Sequence, residues 1–457
     1  MNPLNDLFIT DTDIDWVEKI MGGDVTFDDE RRRIIKDLSS VDIQAFPGSG
    51  KTTVLVAKLA IVAEKWNSST SGICVLSHTN VAREEIEKRI GGTQVGAKLL
   101  NYPHFIGTVH SFFTTHIALP WMRSYGKNIE IIETDFVIDY RWNMVTDYYK
   151  KIFDSKYISK SSCCYTNQIG EISLGSFKPG SEPQKYIKSI IDNSQKKGYY
   201  TFDEILFYAK EALNDNQMIS KRFPLVLIDE AQDTNSFQYE MINQCFKYSV
   251  QQGFGDENQA IYNYVGEENQ SIFPRKKPLV ISQSKRFSNE IAKLANPLAI
   301  SKDTMEGVNT EFESNKNVIF VFEKNKICEV LDAYGKCILD TFTDEELVKY
   351  KQDGCFAIGL VHNKKEETIE KHIPKGVFDY WPQYEAKSLE KGYTPRYLID
   401  FFRIGKQDFN YKQDTFFQID CILQGIRIII NKDHSGNKIK NTKNLMRAFT
   451  DRLDTED

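Results

Sequence analysis

At 457 residues the chain is longer than one ordinary domain, and its length predicts about two to four domains. Its composition, 41% hydrophobic and 27% charged, is typical of a soluble globular protein, and no apolar run approaches the roughly 18 residues that a membrane span needs. A net charge of −6 argues against a uniformly basic nucleic-acid binder, although an acidic body can still carry a positive groove.

The N-terminal stretch MNPLNDLFITDTDIDW is acidic and lacks the basic and apolar regions of a signal peptide. Eight cysteines are scattered along the chain, and the close pair Cys163-Cys164 is adjacent rather than spaced to ligate a metal. Both features predict a cytoplasmic protein with reduced thiols and no membrane partner.

Short apolar, β-branched runs alternate with helical patterns from residue 41 onward, which predicts a doubly wound parallel sheet of the α/β class. The predicted helices include 52–64 and 81–90. Polar, aromatic-rich sequence interrupts this rhythm between about residues 121 and 200 and predicts a helical insertion. The predicted strands are 41–46, 73–77, 105–110, 224–229, 250–256 and 278–282.

A second α/β region is predicted from residue 278 onward, with strands at 317–322 and 355–362. The predicted division is therefore 1–277 for a first domain, 278–363 for the start of a second, and 364–457 for an accessory region of unclear fold. Within that last region, residues 427–447 carry six Lys or Arg against one Asp. Such a run fits either a solvated basic face or a contact with nucleic acid or a partner.

The stretch AFPGSGKTT lies between a predicted strand and a predicted helix, which is the setting that a phosphate-binding P-loop requires. Backbone N–H groups at such a turn, together with the helix N-terminus, favour phosphate oxygens. Lys51 can reach the β- and γ-phosphates, and the hydroxyl of Thr52 can ligate Mg²⁺. The predicted nucleotide-binding residues of this turn are Ala45 (where a glycine is usual), Pro47, Gly48, Ser49, Gly50, Lys51, Thr52 and Thr53.

A second motif, PLVLIDEAQD, places two acids at the C-terminal end of a hydrophobic strand, where open α/β sheets bind their ligands. Asp229 suits the Mg²⁺ shell, and Glu230 is placed to polarise an attacking water. The two acids could instead cap a helix N-terminus. Their combination with the P-loop favours ATP hydrolysis.

Further segments carry a more specific resemblance, and they occur in a fixed order and spacing. They are SHTNVAREEIEKRI (77–90), GTVHSF (107–112), DEAQDTNSFQ (229–238), GDENQAIYNYVG (255–266) and SQSKRFSNEI (282–291). With the P-loop they resemble the superfamily 1 helicases of the UvrD/Rep type over roughly residues 25–300, and YYTFDEILFYA (199–209) resembles another segment of that family. The resemblance implies a P-loop NTPase with a RecA-like motor domain, a second and partial RecA-like domain, and ATP and Mg²⁺ as cofactors.

The resemblance also implies roles for individual residues. Gln259 would sense the γ-phosphate and link it to DNA, and Arg286 would be an arginine finger that acts when two motor domains close. Aromatic rings at the DNA positions could stack on bases without reading sequence. For Phe112 and Tyr264 core packing is the alternative, and for His78 and His110 it is an ordinary hydrogen-bonding role. The implied DNA-contacting residues are His78, Thr79, His110, Ser111, Phe112 and Tyr264.

Several positions depart from the family pattern around the nucleotide base. Glu30, in FDDERRR, replaces the glutamine that reads the adenine edge, and it is the predicted base contact. Thr53 and Lys285 replace an arginine and an aromatic residue that cover the two faces of the base. These changes predict poor base discrimination, with binding that depends on the triphosphate and Mg²⁺. Val265 replaces a further arginine and leaves the link between nucleotide and DNA open.

Two later motifs of the family, Thr-x-His-x-x-Lys-Gly-x-Glu and Thr-Arg-Ala, are not found after residue 300. Either the chain ends inside an inserted accessory region, or the motor is naturally incomplete. In the second case one catalytic arginine is missing, and because a finger contributes about 10³-fold or more in rate, fast unwinding by this chain alone is not expected.

Two functional hypotheses follow from the resemblance. In the first, the protein is an ATP-dependent helicase or translocase acting on single-stranded DNA, or on duplex DNA with a single-stranded end. In the second, it is a regulatory nucleotide- and DNA-sensing subunit with a partner nuclease, as in anti-phage systems such as Gabija, whose helicase-like proteins work beside an OLD-family nuclease. A P-loop kinase fits less well, because DEAQD and GDENQ are not expected there.

Overall fold

The protein is described by a computed structural model that covers residues 3–22, 25–78, 81–172, 174, 177–213, 217–260, 272–300, 303–310, 317–349, 354–359 and 376–384. The chain divides into two units, Met1–Asn317 and Val318–Asp457. Among the described residues, no helix is both long and apolar enough to cross a bilayer.

The strands, in chain order, are β1 (Asp42–Ala45), β2 (Ile73–Ser77), β3 (Phe105–Thr108), β4 (Ile131–Ile132), β5 (Tyr199–Tyr200), β6 (Leu225–Asp229), β7 (Val250–Gly255), β8 (Leu279–Ile281), β9 (Gln283–Ser284) and β10 (Glu306–Gly307).

The helices of the first unit are α1 (Asp11–Met21), α2 (Asp29–Lys36), α3 (Lys51–Lys65), α4 (Val81–Ile90), α5 (Gln94–Leu99), α6 (Val109–Phe113), α7 (Leu119–Ser124), α8 (Thr134–Met144), α9 (Asp147–Ser155), α10 (Lys160–Cys163), α11 (Glu182–Lys196), α12 (Phe202–Ala212), α13 (Gln217–Arg222), α14 (Ser236–Cys245) and α15 (Asn289–Ala295). A π-helical turn, Thr114–Ala118, joins α6 to α7. Short 3-10 turns lie at Ala231–Asp233, Glu257–Gln259 and Asn296–Leu298.

A parallel sheet in the order β3-β2-β6-β7-β1-β8 forms the centre of the first unit. Alternate residues of β2 enter opposite cores: Ile73 and Val75 pack with α1 to α5, whereas Cys74 and Leu76 pack with α6, α12 and α14. Because both faces of the sheet are covered, its strands are continuous apolar runs rather than alternating ones. The predicted α/β parallel fold and the six strands predicted up to residue 282 are confirmed, and the fold is that of a RecA-like P-loop domain.

The helices α3 and α4 confirm the helices predicted at 52–64 and 81–90. The region predicted as a helical insertion contains α8 to α11, whose apolar residues form a separate core around Phe153, Ile187 and Ile191. Strand β8, which the sequence analysis assigns to the second region, pairs with β1 in the central sheet. The domain boundaries stay predictions.

The second unit contains a 3-10 turn at Lys324–Glu329 and the helices α16 (Val330–Thr341), α17 (Asp344–Lys349) and α18 (Val377–Tyr380). The strand predicted at 317–322 is wrong, because these residues have no regular structure. Residues 355–359 have none either, and the end of that predicted strand, 360–362, lies outside the described residues. Ile319, Val321 and Ile358 are 88%, 93% and 97% exposed, so their β-branched side chains lack the packing that favours a strand.

Candidate active site at the carboxyl edge of the sheet

The P-loop runs from the end of β1 at Ala45 to the start of α3 at Lys51. Gly48 and Gly50 adopt left-handed backbone conformations, with φ values of 73° and 80°, which only glycine adopts without strain. Thr52 and Thr53 follow in the first turn of α3 and are partly exposed. The loop therefore places backbone N–H groups at the positive end of a 15-residue helix, as a phosphate site requires.

Lys51 contacts both acids at the end of β6. Its Nζ forms an ion pair with Glu230 and lies 3.7 Å from Oδ1 of Asp229. Burial alone would raise the pKa of Glu230, but the charge and hydrogen bond of Lys51 hold that pKa below its ordinary value. At Asp229, burial outweighs the attraction to Lys51 and raises the pKa. The P-loop and the acidic pair, which are far apart in sequence, thus meet in one cluster.

The cluster also fits a divalent cation. Oδ1 of Asp229 is buried and has no hydrogen-bond partner among the described residues, and Thr52 follows directly on Lys51. A hydroxyl and a carboxylate oxygen are the hard donors that Mg²⁺ prefers. Asp229 and Thr52 therefore suit the predicted metal role.

A chain of hydrogen bonds leads from Glu230 to Gln259. Gln232 donates to Glu230 over 2.9 Å and accepts from the backbone N–H of Asp256 over 3.0 Å. Asp256 accepts from Gln259 over 2.7 Å and from Gln44 over 2.8 Å. Gln44, Gln232 and Asp256 are not among the predicted site residues. The sequence signal that could have identified them is a polar residue inside an apolar strand or shortly after its end.

Glu30 and Arg286 also lie beside the P-loop. The side chain of Arg286 is exposed, whereas its Cβ would lie 2.3 Å from a Cβ added at Gly48. Both carboxylate oxygens of Glu30 accept hydrogen bonds from Ser282, at 2.9 to 3.0 Å. Lys285 is exposed, and the predicted loss of an aromatic cover at this position stays a prediction.

The predicted DNA-contacting residues have different environments. His78, directly after β2, lies 3.0 Å from the hydroxyl of Thr234 through Nε2. Burial and the neighbouring His110, opposed by Glu230, lower the pKa of His78 to about 4, so the ring is neutral at pH 7. Ser111 is exposed. Thr79 and Tyr264 lie outside the described residues.

Phe112 requires a correction. Its ring is 0% exposed and stacks on His116 with ring centroids 4.8 Å apart, inside the core formed by α6, α12 and α14. The ring is closed to a base in this structure, and core packing, the alternative interpretation, describes it.

Phe202 is an exposed aromatic residue that the site prediction omits. It is 42% exposed, and its ring lies edge-on to His110, with centroids 6.1 Å apart. The capping box formed by Thr201 and Glu204 fixes the start of α12 and hence this ring. A large aromatic residue directly after a capping threonine is the sequence signal that could have identified it.

Comparison with known proteins agrees with this geometry. Residues 28–279, more than half of the chain, match the family model of the UvrD/REP helicase N-terminal domain. The chain is 28% identical over 243 residues to the Gabija protein GajB of Bacillus cereus (52% of this chain, 41% of that protein). It is 26% identical over 311 residues to DNA helicase II of Haemophilus influenzae (63% and 42%), and 26% identical over 368 residues to the ATP-dependent DNA helicase Rep of Buchnera aphidicola (74% and 53%).

The chain spans only about half the length of these relatives, between 41% and 53%. The matched stretch nevertheless contains the P-loop, the acids after β6 and the Gln259 segment. The chain belongs to the UvrD/Rep helicase family.

Proposed function

We propose that this protein is an ATP-dependent DNA helicase or translocase that couples Mg-ATP hydrolysis to movement on single-stranded DNA. The observation that carries the proposal is the contact of the P-loop lysine, Lys51, with Asp229 and Glu230 at the carboxyl edge of a parallel sheet. Family membership supports it, as do the names of the matched relatives.

Lys51 changes partners in this mechanism. Its ammonium pairs with Glu230 in this structure, and it would turn to the β- and γ-phosphate oxygens of a bound triphosphate. Glu230 then loses the charge that holds its pKa down and becomes a stronger base. A water attacks the γ-phosphorus, Glu230 takes the proton of that water, and the bond to the β-phosphate oxygen breaks.

Thr52, in the first turn of α3, and Asp229, at the end of β6, would hold the magnesium ion of Mg-ATP, which would neutralise charge on the phosphates. Gln259 is placed to report the state of this site, because its hydrogen-bond chain to Glu230 passes through Gln232 and Asp256. Arg286, exposed beside Gly48, supplies the guanidinium that stabilises charge in the transition state.

The proposed nucleic-acid substrate is single-stranded DNA, or duplex DNA with a single-stranded end. Ser111 and the ring of Phe202 are exposed near His110, and an exposed ring can stack on a base with about 1–3 kcal/mol. His78 and His110, both neutral because burial lowers their pKa values, suit hydrogen bonds rather than phosphate pairing.

A second candidate is a regulatory ATPase subunit that senses nucleotide and DNA and acts with a partner nuclease in anti-phage defence. The observation that favours it is the similarity to the Gabija protein GajB. In this case the same cluster binds and hydrolyses ATP, but its output is a signal to the partner rather than strand separation.

Steady-state ATP hydrolysis with and without single-stranded DNA, followed by strand displacement, separates the two. Hydrolysis stimulated by DNA, with displacement by the purified chain, supports the motor. Hydrolysis that requires a co-purified nuclease, without displacement, supports the sensor. If the protein hydrolysed no nucleotide, either alone or with a partner, both proposed functions would be contradicted.

Two variants test the assigned residues. Lys51→Ala should lose tight triphosphate binding, whereas Glu230→Gln should keep binding and lose about 10²- to 10⁴-fold in turnover. Glu64→Gln, at the exposed end of α3, is a matched control that should hydrolyse ATP like wild type. Equal turnover in wild type and Glu230→Gln would contradict the role of Glu230.

A further inference from the structure

The segment Ser282–Arg286, which ends in the proposed finger, lies directly against the P-loop. The hydroxyl of Ser284 donates to the carbonyl of Pro47 over 2.6 Å, and the N–H of Lys285 donates to the carbonyl of Gly48 over 3.1 Å. A Cβ on Gly48 would meet Ser284 Oγ at 2.7 Å and Arg286 Cβ at 2.3 Å. The glycine therefore permits a backbone approach that any side chain would prevent.

Helix α2 holds the same segment from the other side. Glu30 accepts the N–H and the hydroxyl of Ser282, both at 2.9 Å. The next residue, Arg31, is 3% exposed and donates to the carbonyl of Ser49 at 2.8 and 3.1 Å and to that of Gln283 at 2.8 Å. Two adjacent side chains of α2 thus join the P-loop to the segment that carries Arg286.

The far end of α2 is anchored as well. The ammonium of Lys58, fully buried on α3, donates to the carbonyls of Ile34 and Asp37 and to Oε1 of Gln252. These contacts give a donor to one carbonyl in the last turn of α2 and to one directly after the helix, where intrahelical donors are lacking. Because α3 begins at the P-loop, α2 cannot move relative to the phosphate site without breaking them.

From these contacts we propose that Glu30 is a positioning residue for Arg286 and does not read the nucleotide base. The inference rests on the proposed function. A carboxylate offers only acceptors, whereas a glutamine at this position offers an acceptor and a donor to the adenine edge. Here the carboxylate is directed to Ser282 by two hydrogen bonds, and it fixes where the segment leaves β8 and hence where Arg286 lies.

The test measures kcat and KM for Mg-ATP, with GTP and CTP as competing substrates, in Glu30→Ala and Arg286→Ala and in the double variant. Misplacement of a finger by about 1 Å costs on the order of 10²-fold, so Glu30→Ala should lower kcat by about 10- to 100-fold. Its KM should stay within about twofold, because ground-state binding is not changed. In the Arg286→Ala background, Glu30→Ala should have no further effect, since both act through one group.

Two conservative variants guard against a simple folding defect. Glu30→Gln can still accept the N–H of Ser282 and should retain kcat within about threefold, whereas Ser282→Ala, which removes one of the two hydrogen bonds, should lie between wild type and Glu30→Ala. Asp29→Ala, an exposed carboxylate on the same turn of α2, is the matched control and should leave kcat unchanged.

Other results overturn the inference. If Glu30 contacted the nucleotide base, Glu30→Ala would raise KM for ATP or change the ratio of ATP turnover to GTP and CTP turnover. If Glu30 had only a structural role, Glu30→Ala would lower kcat by the same factor in the wild-type background and in the Arg286→Ala background. A wild-type chain that hydrolyses no nucleotide overturns the proposed function itself, whereas hydrolysis with additive losses overturns the positioning role alone.

Discussion

Two cation–carboxylate pairs in this chain share their chemistry and differ in their surroundings. Arg141 and Glu204 join α8 to α12 with side chains 0% and 2% exposed, whereas Lys51 and Glu230 are 13% and 41% exposed. Arg141 also donates to the hydroxyl of Ser194 and the carbonyl of Cys164, both at 3.0 Å. The first pair is sealed by protein atoms and the second opens to solvent.

The difference separates a structural pair from one that can exchange partners. A sealed charge that loses its partner stays in a medium of low polarity, which is costly. A charge at an open site is rescued by water or by a ligand, so its partner is free to leave. Exposure to solvent, more than the presence of an ion pair, therefore distinguishes the Lys51–Glu230 pair from the Arg141–Glu204 pair.

The sharpest test of this comparison replaces the two cations in the same way. Arg141→Met should lower the free energy of unfolding by about 3–5 kcal/mol, because Glu204 is left buried and unpaired. Lys51→Met should cost less, because its main partner Glu230 is solvated and the buried Asp229 lies 3.7 Å away rather than within hydrogen-bond distance. Equilibrium unfolding in urea measures both, and equal losses would break the comparison.

The same comparison can be made between two lysines of α3, the buried Lys58 and the exposed Lys65. Lys58→Met should lower the free energy of unfolding by about 2–4 kcal/mol, because it leaves two carbonyls and Gln252 without their donor. Lys65→Met, at the solvent end of α3, removes a surface pair with Asp13 and an exposed hydrogen bond to the carbonyl of Phe8, and it should cost less than Lys58→Met. Urea unfolding of the two variants side by side is the measurement, and a Lys58→Met protein as stable as wild type would contradict the anchoring role.

The histidine that faces the open pair predicts a smaller, pH-dependent effect. The folded protein binds a proton at His78 only near a pKa of about 4, whereas an unfolded histidine binds one near pH 6.5. Between these values the unfolded state takes up more protons, so the free energy of unfolding falls as the pH falls. From pH 7 to pH 5, wild type should lose about 1–2 kcal/mol more than His78→Gln. Parallel stability curves for the two proteins would show that His78 titrates normally.

The sequence predicts the central sheet and its phosphate edge well, for physical reasons. Strands buried on both faces must be continuous apolar runs, and a P-loop needs glycines at its left-handed positions, so both leave a local pattern. Lys51, Asp229 and Glu230 could be brought together because parallel strands end at one edge of a sheet.

Features that depend on tertiary neighbours could not be predicted in this way. The sequence alone would place Lys58 and Arg141 on the surface, although each is 0% exposed. Their burial could not be predicted because their hydrogen-bond acceptors come from distant segments. Phe112 follows a family motif, but its environment is set by α12 and α14. The residues at 317–322 have strand composition without a neighbour to pair with among the described residues.

Glu230 carries a cost in its backbone. Its φ of 51° and ψ of 46° place a residue with a long side chain in the left-handed region, where a glycine would sit without strain and where such a residue costs on the order of 1 kcal/mol or more. The strain would fall if a glycine stood here, but the carboxylate that we propose as the base in ATP hydrolysis would be lost with it.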